Sequence, residues 1–127
     1  MASIFELETP PFGRHSTGKL LLEATDANTT LTAPQAVASI VTMTPTANRT
    51  LTTPTGAAII AELGLQAKIG QTFEMNVVNL AASTYTVTLT AGASGVTVVG
   101  AAAIPAAGGG TFTGRVATAS TVVFYRS

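Results

Sequence analysis

Apolar and polar positions alternate from residue 71 to residue 80, with Phe73, Met75 and Val77 on one side and Glu74 and Asn76 on the other. That period of two predicts a half-buried strand. Residues 84–90 repeat the pattern more strictly, since Tyr85, Val87 and Leu89 share one face and four threonines cover the other. Shorter β-type runs follow at 96–99, 111–118 and 121–125, and others precede at 37–43 and 49–52, separated by Gly- and Pro-containing turns. The last run is apolar on both faces, Val122 and Phe124 against Val123 and Tyr125, so both of its sides call for cover.

The period changes once. Thr53 precedes Pro54, a residue favoured in the first turn of a helix, and residues 55–63 are helix formers that end at Gly64, a natural left-handed stop. Ile59, Ile60 and Leu63 then form one stripe that faces a sheet. Many short strands and one helix predict an all-β fold, a β-sandwich or jelly-roll-like domain over residues 36–127. A parallel sheet with interleaved helices is not expected, and residues 105–110 read as a flexible loop.

Residues 1–35 read as an extended N-terminal arm. They show no sustained period, Pro10-Pro11-Phe12-Gly13 opposes helix, and Asp26-Ala27-Asn28-Thr29-Thr30 has turn chemistry. Leu20-Leu21-Leu22 is the one piece that suggests a strand, paired with the domain or with a neighbour.

Composition sharpens this picture. Only 9% of the 127 residues are charged, against about 25% in ordinary soluble domains, so strand edges and apolar faces have little charge to guard them. Such a surface expects other chains. Six basic and six acidic residues cancel, which gives no global field to recruit nucleic acid or an anionic membrane. The absence of cysteine excludes disulfides, thiolate catalysis and Cys-rich zinc sites. The N-terminal residues lack the basic and apolar regions of a secretion signal, and no apolar run reaches the roughly 18 residues of a membrane span. Synthesis in the cytoplasm is the expectation.

Candidate chemistry is sparse. His15 stands beside Arg14 and Ser16 without a nucleophile or orienting carboxylate in sequence. Glu62 falls on the helix and Glu74 on a strand, which suits solvent-facing charges better than a catalytic pair. Gly108-Gly109-Gly110-Thr111 lacks the lysine and the helix that a phosphate loop needs. Neither an enzyme nor a cofactor or metal site is expected. Phe5, Pro10, Pro11, Phe12 and Arg14 are instead candidates for contact with a partner surface, because aromatics on an irregular arm become anchors once a pocket is supplied, the alternative being that the aromatics and prolines fold back onto their own domain.

Asn48-Arg49-Thr50-Leu51-Thr52-Thr53-Pro54-Thr55, the Ala/Ile helix, Lys68-Ile69-Gly70-Gln71-Thr72-Phe73-Glu74 and Val78-Asn79 together resemble a β module of tailed-bacteriophage structural proteins. Gly95-Val96-Thr97-Val98-Val99-Gly100, Thr111-Phe112 and Val123-Phe124-Tyr125-Arg126 look like its remaining strands, so the likeness covers residues 40–127. The resemblance is to head decoration, or cement, proteins and to head-fibre modules. It implies a non-catalytic virion protein, a homotrimer on the capsid exterior whose partners are copies of itself and the phage major capsid protein. Val122, Val123, Phe124 and Tyr125 are then expected in trimer or core packing. The competing expectation is a head-fibre or tail-fibre module in which residues 80–84, 92–95 and 105–110 bind host-surface glycans.

Overall fold

A computed structural model describes residues 20–92 and 94–126. The chain runs β1 (Leu20–Glu23), β2 (Thr29–Thr30), α1 (Ala33–Ala38), β3 (Ser39–Met43), β4 (Arg49–Thr52) and α2 (Gly56–Leu63), then a 3-10 turn (Gly64–Gln66). It continues through β5 (Thr72–Asn79), β6 (Val87–Thr90), β7 (Val96–Val99), β8 (Ala103–Ile104), β9 (Gly108–Val116) and β10 (Val122–Arg126). Two sheets result, with strand orders β1-β3-β5-β9-β10-β7 and β2-β4-β6-β8.

The chain winds. Each of the first three passes leaves one strand in the larger sheet and the next in the smaller, so β1, β3 and β5 lie parallel and β2, β4 and β6 lie parallel. α1 and α2 carry the chain back between passes. The β-rich class is as expected, but parallel pairing through helical crossovers corrects the expectation of no interleaved helices, and it departs from an antiparallel jelly roll. The reason is length: α1 has six residues, too few to impose a helical period, and its Pro34 reads as a breaker in sequence.

A repeat underlies the winding. Ala27-Asn28-Thr29-Thr30-Leu31-Thr32-Ala33-Pro34 and Ala47-Asn48-Arg49-Thr50-Leu51-Thr52-Thr53-Pro54 differ at only two positions. In both passes the asparagine ties one coil to the next: Asn28 Oδ1 accepts from the Thr50 N–H at 3.0 Å, and Asn48 Oδ1 from the Thr86 N–H at 3.1 Å. Leu31 and Leu51 enter a common core with Val41, Met43, Met75, Val77, Val87, Leu89, Ile104, Phe112, Val122 and Phe124, residues drawn from both sheets.

The helices are closed by side chains. Gln35 Oε1 accepts from the Thr32 N–H at the start of α1, half of a capping box. At α2 the cap is Thr55, whose hydroxyl accepts from the Ala58 N–H, and Pro54 lies outside the helix. Thr53 is held by the sheet instead: its N–H reaches Thr90 O and its buried hydroxyl accepts from the Gly92 N–H. Gly64, at φ 61°, ends the helix as expected, and Ile59 is buried while Ile60 and Leu63 pack against the core. No helix among the described residues is long and apolar enough to cross a membrane.

Three further expectations change. β1 and β2 pair with β3 and β4, the pairing with the domain that Leu20-Leu21-Leu22 suggested, so these two strands belong to the sheets, and the arm boundary at residue 35 falls inside α1. The strand expected over 84–90 begins only at Val87, because Thr84 adopts φ 81° and buried Asn79 knots the corner. Its amide donates to Tyr85 O at 2.9 Å and Ile104 O at 3.0 Å while its oxygen accepts from the Ala81 N–H. Finally, Gly108, Gly109 and Gly110 open β9 and pair with Asn79, Val78 and Val77; glycine is permissive in loops but equally free to extend when a ladder supplies the hydrogen bonds.

Candidate interaction surface

Exposed apolar side chains fall at both margins of the larger sheet, Leu20 and Leu21 on β1 and Val99 and Tyr125 at β7, and also after α2 at Leu65 and Ile69 and around the corner at Leu80 and Tyr85. β7 is one edge, paired among the described residues only with β10, and its residues Val96, Thr97, Val98 and Val99 include neither lysine nor proline. Alternation sends Val96 and Val98 toward the core and leaves Thr97 and Val99 outside, Val99 with 46% of its surface exposed. Tyr125 lies beside Val99 in register and is exposed on the same face. Arg115 holds that ring in place: Nη2 donates to the Tyr125 hydroxyl at 3.0 Å and the guanidinium carbon sits 5.8 Å from the ring centre. The arginine thus spends its charge on a neighbour, and the patch presents aromatic and aliphatic surface.

β10 divides by parity. Val122 and Phe124 are fully buried in the chain's own core, where Phe124 meets Phe73 edge-on at 5.5 Å. Val123 is half-buried and Tyr125 exposed on the outer face. The other anticipated contacts, Phe5, Pro10, Pro11, Phe12 and Arg14, lie outside the described residues, as does His15.

A second feature lies where β9 outruns β10. β10 pairs with Phe112 to Val116 only, so the ladder of β9 from Gly108 to Thr111 has β5 on one side and, among the described residues, no strand on the other. The glycines leave an open depression of about 380 Å³ lined by Asn76, Val77, Val78, Gly109, Gly110, Thr111 and Arg126. Asn76 Nδ2 donates to Thr111 Oγ1 across it at 2.8 Å, and Arg126 lies over the Phe112 ring. Sequence reasoning missed this hollow, although the triple glycine was its signal.

At the corner between the first two coils, Asp26 accepts from the Thr46 hydroxyl at 2.6 Å, the Thr46 N–H at 3.1 Å and Arg49 Nε at 2.9 Å. The Thr46 hydroxyl chiefly, then Arg49, holds its carboxyl below the ordinary value of 3.8. A depressed folded pKa means stability that is complete above the unfolded value and lost as pH falls through the folded one. Urea midpoints measured below about pH 4 should therefore decline more steeply for the wild type than for Asp26→Asn; parallel acid limbs would show that the corner contributes nothing. Both side chains are partly exposed, so this tie is a local clasp.

No group of three or more His, Cys, Asp or Glu side chains gathers among the described residues. Glu62 and Glu74 are exposed on α2 and β5. The three loops expected of a glycan site are not brought together. Residues 80–84 and 105–107 flank the end where Asn79 meets Gly108, whereas Gly95 packs against Gly56 and Ser120 at the opposite end, where Val122 meets Val96. No protein-family model, curated protein or solved structure gives a significant match to this chain.

Proposed function

We propose that this chain is a structural virion protein, a decoration or cement protein that binds the outer surface of a phage capsid as a homotrimer and stabilises it without catalysis. In this reading the two sheets form a β-sandwich, wound in parallel for three passes and closed by antiparallel strands. The observation that carries the proposal is the β7 margin, an unguarded edge strand with Val99 and Tyr125 exposed beside it. Strands of that kind pair with another chain, and a closed ring of copies removes the hazard of open-ended growth. Attachment to the shell falls to the N-terminal segment, where Phe5, Pro10, Pro11, Phe12 and Arg14 supply apolar contact and one charge. Three such segments on one trimer bind together, so weak individual contacts add up through avidity.

Light scattering tests assembly directly, and the expected mass is three times the 12.8 kDa chain. Val99→Lys places a charge on the seam and is expected to weaken association by roughly tenfold or more; a wild type that stays monomeric at high concentration would end the trimer reading. Phe12→Ala combined with Arg14→Ala is expected to abolish co-sedimentation with phage heads assembled without this protein while leaving the trimer intact. The division of the three loops between opposite ends weighs against the glycan-binding fibre, and glycan-array binding by the isolated protein would reverse that preference.

A further inference from the structure

The two ends of the larger sheet are not alike. α1 and α2 deliver the chain to the starts of β3 and β5 and pack against each other, so both helices lie at the end where Val116 meets Val122, while Asn79 meets Gly108 at the other. Between α2 and β5 the chain makes a short loop, residues 64–70, at the helical end. It carries the two most exposed large apolar side chains among the described residues, Leu65 at 97% and Ile69 at 71%.

The loop is fixed by its backbone. Gly64 and Gly70 bound it at φ 61° and 91°. Ala67 N–H donates to Gly64 O at 3.1 Å, Gln71 N–H to Lys68 O at 2.8 Å, and Gly70 N–H to Val116 O on β9 at 2.8 Å. Neither Leu65 nor Ile69 belongs to the core or to the apolar side chains packed against it. They contribute nothing to the chain's own packing, yet a preorganised loop presents them with little ordering left to do when a pocket receives them.

We infer that this loop is a further capsid contact, in which Leu65 and Ile69 enter an apolar recess on the outer face of the shell and Lys68 meets a carboxylate at the rim of that recess. The inference rests on the decoration reading and adds to it which end of the molecule faces the shell.

Three observations choose this occupant. The first is the use already made of the sides: copies that meet along β7 use a lateral margin, which leaves the two ends of the strands free, one for the shell and one for solvent. The second is direction. β1 runs parallel to β3 and β5, away from the helical end, so Leu20, to which the attachment segment is joined, stands at the helical side of its strand. Tether and loop then serve the same end, and three copies present them together, which multiplies weak contacts. The opposite end offers less apolar surface, Leu80 at 54% and Tyr85 at 39%. The third is charge: Lys68 is exposed beside Ile69, and among the described residues no carboxylate lies within ion-pair distance of it. An apolar centre with a charge at its edge matches the anatomy of a protein interface.

Affinity of the whole chain for phage heads assembled without it reads the contact. Leu65→Ser combined with Ile69→Ser is expected to weaken binding at least about a hundredfold, roughly tenfold or more for each buried side chain lost, with the mass by light scattering and the urea midpoint unchanged. Lys68→Glu is expected to cost about tenfold. Leu80→Ser combined with Tyr85→Ser, at the opposite end, is expected to bind as the wild type does. A loop variant of either kind that keeps wild-type affinity overturns the inference, and so does equal loss from variants at the two ends. A loop variant of lower mass overturns it in favour of a neighbouring copy as the occupant. Hydroxyl-radical footprinting of the unsubstituted protein supplies a second reading: oxidation of Leu65 and Ile69 is expected to fall severalfold on binding to heads while that of Leu80 and Tyr85 stays constant, and unchanged oxidation at the loop refutes the contact. The two failures separate. A wild type that ignores phage heads ends the decoration reading and this contact with it, whereas a wild type that binds no better than its loop variants ends the contact alone.

Discussion

Gly56→Ala is expected to destabilise the protein by about 3 kcal/mol, at the upper end of the cost of overpacking, although alanine is the better helix former by up to about 1 kcal/mol. Gly56 is the first residue of α2, and a Cβ there would come 2.4 Å from Gly95 O and 2.5 Å from Ser120 O. Both obstacles are backbone, so no rotamer change relieves them. Relief requires moving α2 away from two turns at once, and Gly56 N–H would leave Ser94 O, which it reaches at 3.0 Å. Gly64→Ala separates steric clash from backbone strain. Gly64 has φ 61° and ψ −127°, but no atom lies within 4 Å of the place its methyl group would take, so its substitution costs backbone strain alone, roughly 1–2 kcal/mol. Urea unfolding should show the larger drop in midpoint for Gly56→Ala with the slope unchanged. If the two variants are equally stable, the helix does not sit against these turns as closely as described.

Gly56 also shows where sequence reading stops. The helix itself is legible: residues 55–63 carry the stripe, and Gly64 its stop. That its first residue must lack a side chain is not, because Gly95 and Ser120 are distant in sequence and nothing local ties them to α2. Strands with one buried face, such as β5 with Met75 and Val77 inward, declare themselves by alternation. Their partners do not: the Thr-rich pattern of β4 and β6 is the same whether the pair runs parallel or antiparallel. The clue to parallel winding was the recurrence of Ala-Asn-x-Thr-Leu-Thr-x-Pro twenty residues apart, since equivalent segments in successive coils stack side by side. For the interaction surface, a shortage of charge announced that some margin is bare but could not place it. Only the strand order identifies β1 and β7 as margins, and it sorts Val122 and Phe124 into the core while leaving Tyr125 outside.

Asn79 is the position where a polar side chain matters most to the fold. It is fully buried and stands at the end of β5, where the third coil leaves one sheet for the other. Its amide satisfies Tyr85 O and Ile104 O, and its oxygen satisfies the Ala81 N–H. Asn79→Ala is expected to cost roughly 3 kcal/mol or more, because three backbone groups lose a partner and each buried orphan is worth about 1–3 kcal/mol. A cavity alone would predict less, since the amide is small. Asn79→Asp tests the hydrogen-bond account without changing size. An ionised carboxylate there keeps the Ala81 bond but turns a negative oxygen toward two carbonyls, and burial disfavours the charge, so its folded pKa rises above the unfolded value of about 3.9. A folded state that binds more protons than the unfolded chain gains stability as pH falls. The variant is therefore expected to be weakest at neutral pH and to recover toward pH 4, opposite in sign to the acid limb contributed by Asp26. Urea midpoints across that range decide the matter: a variant whose stability does not rise on acidification would show that the corner at Asn79 is held by packing rather than by its amide.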